Sequence, residues 1–212
     1  MIYLTGGGLN PKTLPTLTGH PMIGALAQPE SLALSYVMRF DKWGADNGCF
    51  AKPKSFVLAE YFAWLEKMSP ALDACLFATA PDVVGDCRAT WEKSEPILPE
   101  IRKRGYPAAL VGQDGIEDES IDWDALDVLF IGGSTRWKLS DAARQVVGDA
   151  RRIGKWVHMG RVNSFRRLEY AALIGCDSAD GNFLAFGPDT NLPKLLRWLS
   201  KLKQCPMLGL YV

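Results

Sequence analysis

Residues 128–164 read VLFIGGSTRWKLSDAARQVVGDARRIGKWVHMGRVNS. A short apolar run, 128–131, breaks at two glycines. Ser140 is a good helix N-cap and Asp141 an acid suited to the first turn, which predicts a helix over 140–153. A second apolar run, 156–159, follows and again ends in glycine. Strand, helix, strand in this spacing is a parallel βαβ unit. Working outward, further short strands are expected at 2–5, 22–27, 43–46, 74–78, 108–111 and 181–185, each bounded by Gly, Pro or Asp. Helical patterns lie between most of them: 54–68, 87–104 with Pro96 and Pro99 breaking or kinking it, 164–174 from Ser164, and 192–203 with Pro193 in its first turn. Eight strands alternating with helices predict a compact (β/α)8 barrel of the TIM type rather than an open sheet. The length is near the lower limit for that fold. Some helices must therefore be short or missing, particularly between the first two strands and over 115–127. No linker or composition break divides the chain, so residues 1–212 read as one domain.

Composition fits this reading. The chain has 212 residues, 48% of them hydrophobic and 23% charged, with 24 basic and 24 acidic side chains. That excludes disorder, collagen and coiled coil. No run approaches the roughly 18 apolar residues of a membrane span. The N-terminus, MIYLTGGGLNP, lacks a basic region and a long apolar stretch, so a cytoplasmic protein is expected. Charge is unevenly spread: residues 1–133 hold 11 basic and 18 acidic side chains, residues 134–212 hold 13 and 6. A basic C-terminal half allows a nucleic-acid face, although solvated helix faces give the same count. The cysteines, Cys49, Cys75, Cys87, Cys176 and Cys205, are odd in number and form no C-x-x-C. Neither a disulfide framework nor a closed zinc site is expected. With only His20 and His158, a histidine-rich metal site is not expected either.

In such barrels the active site lies at the C-terminal ends of the strands. Polar residues and glycines gather there: ADNGCF at 45–50, ATAPDVVGD at 78–86, VGQDG at 111–115, IGGSTRWK at 131–138, HMGRVNS at 158–164 and GCDSADGNF at 175–183. Asp46, Asp82, Asp86, Asp114, Asp177 and Asp180 all fall at these ends. Such carboxylates suit a divalent cation, or glycosidic chemistry with one as nucleophile and another as acid or base. Each taken alone could equally cap a turn or helix. Gly132 and Gly133 could offer backbone N–H groups to a ligand, or simply form a tight turn. Gln113 could read a purine edge. Phe50 and Met159 could sandwich a flat base, though such residues are more often core. Arg136, Arg161, Arg166 and Arg167 could hold a phosphate backbone.

Taken in order over residues 43–183, these motifs resemble the tRNA-guanine transglycosylase superfamily, and most of all its reduced, phage-type DpdA-like deazaguanine DNA transglycosylases. The resemblance implies Asp46 as general acid/base and Asp180 as nucleophile. It implies base contacts from Phe50, Asp82 or Asp86, Gln113, Gly132, Gly133 and Met159, with Asp177 supporting Asp180. The family's zinc site, three cysteines and a histidine beyond the nucleophile, is absent from the sequence. That favours a DNA over a tRNA substrate.

The expected reaction is exchange of guanine in DNA for a 7-deazaguanine through a covalent Asp180–sugar ester, needing neither metal nor redox cofactor. A helper protein or homodimer is plausible as a DNA-gripping partner, and no membrane is expected. Three alternatives stand beside it. One keeps the chemistry on tRNA. Another is a magnesium-dependent barrel phosphodiesterase or lyase with Asp46, Asp82 and Asp86 as ligands. The last is a module that binds bases or nucleic acid without turnover.

Overall fold

The computed structural model describes residues 1–49 and 56–204. Eight parallel strands close into a barrel in sequence order. They are β1 (Ile2–Thr5), β2 (Ile23–Ala27), β3 (Trp43–Ala45), β4 (Cys75–Thr79), β5 (Ala108–Gly112), β6 (Val128–Ile131), β7 (Trp156–Met159) and β8 (Ser178–Asp180). The closing register pairs Tyr3 with Ala179 and Leu4 with Asp180. The helices between them are α1 (Leu14–Thr18), α2 (Leu34–Val37), α3 (Leu58–Met68), α4 (Cys87–Ser94), α5 (Leu98–Lys103), α6 (Thr135–Lys138), α7 (Asp141–Arg152), α8 (Phe165–Leu173) and α9 (Pro188–Lys203). This is the single-domain (β/α)8 barrel expected from the sequence.

Side chains alternate across the strands, and the two faces build two cores. The outward faces join the helices in a large layer that includes Tyr3, Trp43, Leu110, Leu129, Val157, Leu168 and Leu195. The inward faces make a second, smaller cluster of Leu4, Phe77, Ala109, Val111, Val128 and Phe130. Two inward glycines make room for it. A Cβ on Gly44 would lie 2.6 Å from the Phe77 ring, and one on Gly24 would lie 2.7 Å from Leu4. The barrel is therefore plugged with bulky side chains on one side and relieved by glycine on the other.

Helix starts follow local capping chemistry. Ser140 accepts from the Ala143 N–H and Ser164 from the Arg167 N–H, as the sequence predicts. The 87–104 pattern divides into α4 and α5, with Pro96 in the break and Pro99 in the first turn of α5. Only single 3₁₀ turns, at Ile116–Asp118 and Trp123–Ala125, occupy the short β5–β6 connection.

One strand departs from expectation. The eighth lies at Ser178–Asp180, not at 181–185, where the chain makes a turn closed by the Ala185 N–H on the Asn182 carbonyl. The apolar run FLA looked like the strand, but Leu184 packs in the outer layer from that turn. The true strand is small and polar because Ser178 and Asp180 face the barrel interior.

A candidate acid–base site at the barrel mouth

The C-terminal ends of the strands enclose a cavity of about 280 Å³. Asp46, Asn47, Thr79, Asp82, Gln113, Gly132, Arg161 and Asp180 are among its lining residues. The polar side chains converge on two walls.

The β3–β4 wall is built around Asn47. Its backbone N–H donates to Thr79 Oγ1 at 2.8 Å and its side-chain amide donates to the Ala80 carbonyl at 2.7 Å. That bolts the end of β3 to the end of β4 and sets Asp46 and Asp82 on the cavity. Asp46 Oδ1 accepts from the Gly48 N–H at 2.7 Å. Gly48 sits at φ 77°, in the left-handed region that glycine enters at little cost, and so turns its N–H back onto the carboxylate. Burial nevertheless pushes Asp46 up to about 6, with the carboxylates of Asp180 and Asp82 adding to the rise and the Gly48 N–H opposing it. Asp82 is also raised by burial, against a lowering hydrogen bond from Asn47. Gln113 Nε2 donates to Asp82 Oδ2 at 2.9 Å, and Gln113 Oε1 accepts from the Gly85 N–H at 3.0 Å.

The β6–β7–β8 wall carries the cations. Asp180 Oδ1 lies 3.0 Å from His158 Nε2, and Oδ2 lies 3.4 Å from the backbone N of Arg161. Arg161 has φ 61°, a left-handed conformation that costs a non-glycine residue energy and is enriched at functional sites. Its guanidinium donates to the carbonyls of Gly132 and Gly133. Behind it, Lys138 is 4% exposed and donates to the Gly160 carbonyl at 2.5 Å. Burial first, and then the Arg161 charge, lower Lys138 to about 8, against the pull of Asp180.

The structure thus brings Asp46, Asp82, Gln113, Gly132, Arg161 and Asp180 to one cavity. Phe50 lies outside the described residues. Several other expectations need correction. The N–H groups of Gly132 and Gly133 both donate to the Gly112 carbonyl, at 2.9 and 3.1 Å, so they are not turned to a ligand. Their carbonyls hold Arg161 instead. Gln113 has its carbonyl and one N–H committed to neighbouring loops, which weighs against reading a base edge. Met159 faces outward into the helix-side core. Asp86 caps α4 through the Ala89 N–H. Asp177 lies before β8 at the opposite end of the strand, where it pairs with Arg151 at 2.6 Å and accepts from the Val157 N–H. Arg136 and Arg166 are exposed on α6 and α8, while Arg167 lies beside Lys138 and Arg161 around a small secondary cleft. The magnesium set of Asp46, Asp82 and Asp86 does not converge, and among the described residues no group of three or more His, Cys, Asp or Glu is arranged to hold a metal.

Sequence reasoning missed three residues: His158, Lys138 and Asn47. The signal for His158 was present, since the strand period of two puts Trp156 and His158 on one face. The signal for Asn47 was its place directly after β3. Nothing marked Lys138 as buried, because a lysine on a short helix reads as solvated.

No protein-family model and no curated protein matches the chain. Solved structures do match. One is a PaMucR phosphodiesterase in complex with c-di-GMP, 15% identical, covering 71% of this chain and 69% of that one, with TM-score 0.43. Another is the Bacillus subtilis YkuI protein, with an EAL domain, in complex with its substrate c-di-GMP and calcium. It is 18% identical, with 90% of this chain and 47% of that chain covered, at TM-score 0.41. This chain spans under half of that protein. A third is the Amycolatopsis orientalis BexX/CysO complex, 15% identical, with 93% and 91% covered and TM-score 0.46. Likeness at this level concerns the fold.

The guanine transglycosylase expected from the motifs is corrected here, and with it the glycosyltransferase class and 7-deazaguanine exchange. Two of these structures are described as c-di-GMP phosphodiesterase or substrate complexes, not as transglycosylases. Within the chain, the two glycine N–H groups assigned to the departing base are already spent. Among the described residues no helix is long and apolar enough to cross a membrane.

Proposed function

We propose that this chain is a hydrolase of phosphodiester bonds that works by carboxylate acid–base catalysis. The observation that carries the reading is a pair of aspartates on facing walls of one cavity, in opposite environments. Asp46 is pushed up to about 6, so it keeps its proton into the mildly acidic range, where an ordinary aspartate is already ionised. Asp180 has both oxygens facing N–H groups or the His158 ring, an arrangement that suits the carboxylate form. Two carboxylic groups held in such different surroundings can divide the roles of acid and base.

In this reading the phosphoryl group sits beside Arg161, with Lys138 behind it supplying further positive charge. Asp180 takes a proton from a water molecule, and the water oxygen bonds to phosphorus. The bond from phosphorus to the leaving oxygen breaks, and Asp46 gives that oxygen its proton. Proton exchange with solvent then resets both groups. Asp82, fixed by Asn47 and Gln113, shapes the wall beside Asp46 and receives hydrogen-bond donors of the substrate.

The test is turnover of bis(4-nitrophenyl) phosphate, with the phosphate monoester as control. The expected result is diester cleavage that Asp180→Asn lowers by at least about 10³-fold. No diester cleavage, or cleavage unchanged in that variant, would overturn the reading.

A further inference from the structure

We propose that Trp156, Ser178 and His158 form a hydrogen-bond relay inside the barrel that fixes the His158 tautomer and makes His158 the positioning residue for Asp180. The catalytic half of this statement rests on the hydrolase reading; the relay itself does not. Trp156 and His158 alternate on one face of β7, and Ser178 and Asp180 on one face of β8. The strand register pairs His158 with Ser178. All four side chains therefore point into the barrel together.

The distances run in sequence along the relay. Trp156 Nε1 lies 3.0 Å from Ser178 Oγ, Ser178 Oγ lies 2.8 Å from His158 Nδ1, and His158 Nε2 lies 3.0 Å from Asp180 Oδ1. An indole nitrogen can only donate. Ser178 Oγ thus accepts from Trp156 and has its own hydroxyl proton to give. A bare Nδ1 on His158 is the acceptor that takes it. The ring proton then sits on Nε2, where an ionised Asp180 needs a donor. Both ends of the relay call for the same tautomer.

The imidazole has no room to choose otherwise. His158 is 0% exposed, and its ring lies 4.5 Å from Phe130 and 4.8 Å from Phe77, centroid to centroid. The apolar plug of the barrel holds the ring plane while Ser178 sets its polarity. One carboxylate oxygen is thereby fixed, leaving the other to face Arg161 N and the cavity. Hydrogen-bond partners behind a reacting group commonly change its activity by about 10–100-fold in metal sites, and the same orientation argument applies to a base.

The direct test is a long-range ¹H–¹⁵N spectrum of the ¹⁵N-histidine-labelled protein at pH 7. The chain has two histidines, so His20→Gln assigns the signals. The expected wild-type spectrum shows His158 protonated at Nε2 and bare at Nδ1. Ser178→Ala should alter that spectrum and lower kcat on the phosphodiester about 10-fold, with KM changed less than about twofold. A ring protonated at Nδ1, or at both nitrogens, would overturn the relay. So would a Ser178→Ala protein with unchanged spectrum and kcat. The wild-type spectrum needs no variant to fold and no substrate. An inactive wild-type protein would sink the hydrolase reading, while the spectrum would still decide the relay.

Discussion

Asp180 and Asp46 are the same side chain on two walls of one cavity, and the walls treat them differently. Asp180 ends β8 and meets His158 Nε2 on one oxygen and the Arg161 N–H on the other. Asp46 follows β3 and has the Gly48 N–H on one oxygen, with burial and two neighbouring carboxylates working against its charge. One wall supplies donors and cations; the other supplies desolvation and like charge. The lesson is that role follows environment, since an aspartate becomes base or acid according to what faces it.

The comparison can be broken most severely at Asp180. Asp180→Asn keeps the size of the side chain but removes the base, and kcat should fall at least about 10³-fold while the folded state persists by circular dichroism. Asp46→Asn should cost less, about 10²-fold, because water can protonate a good leaving group in its place. Its signature is in the pH profile. An acid that must be protonated loses activity as pH rises through its pKa, so wild-type kcat/KM should fall above about pH 6 and the variant should lose that limb.

The same residue predicts a stability effect of opposite sense. A carboxyl raised in the folded state favours folding below its unfolded value near 3.8, and that contribution is lost as pH rises through about 6. At pH 7 the folded protein therefore bears a destabilised carboxylate. Asp46→Asn should raise Tm at pH 7 by about 2–4 °C, the shift that roughly 1 kcal/mol gives in a chain of this size, and the gain should vanish near pH 4. Thermal melts at the two pH values check it.

Arg161→Lys sharpens the cationic side. Lysine keeps the charge but lacks the planar guanidinium, whose Nη2 donates to both the Gly132 and Gly133 carbonyls. KM should rise about 10-fold, with kcat reduced less, in steady-state kinetics. The smallest catalytic effect is expected at Asp177, the aspartate at the far end of β8. Asp177→Asn breaks the Arg151 pair, so Tm should drop by about 2–4 °C while kcat stays within twofold.

The barrel was legible because the strand-to-helix alternation is regular and the caps at Ser140 and Ser164 mark helix starts. The eighth strand was not. Its residues, Ser178–Asp180, have weak strand propensity, and tertiary pairing with β1 and β7 overrides that. At the site, residue types were readable but hydrogen-bond directions were not. Gly132 and Gly133 form the tight turn, but it is their carbonyls that meet Arg161, while their N–H groups close onto Gly112. His158 escaped notice because its partner, Ser178, lies 20 residues away and only the β7–β8 register joins them.

The central claim, that Asp46 carries the mobile proton opposite Asp180, is tested most directly by following the Asp46 carboxyl carbon by ¹³C NMR through a pH titration, assigned by its loss in Asp46→Asn. The account predicts a midpoint near pH 6. A midpoint near the ordinary aspartate value of about 3.9 would contradict it, because Asp46 would then already be ionised at about pH 6 and have no proton to give there.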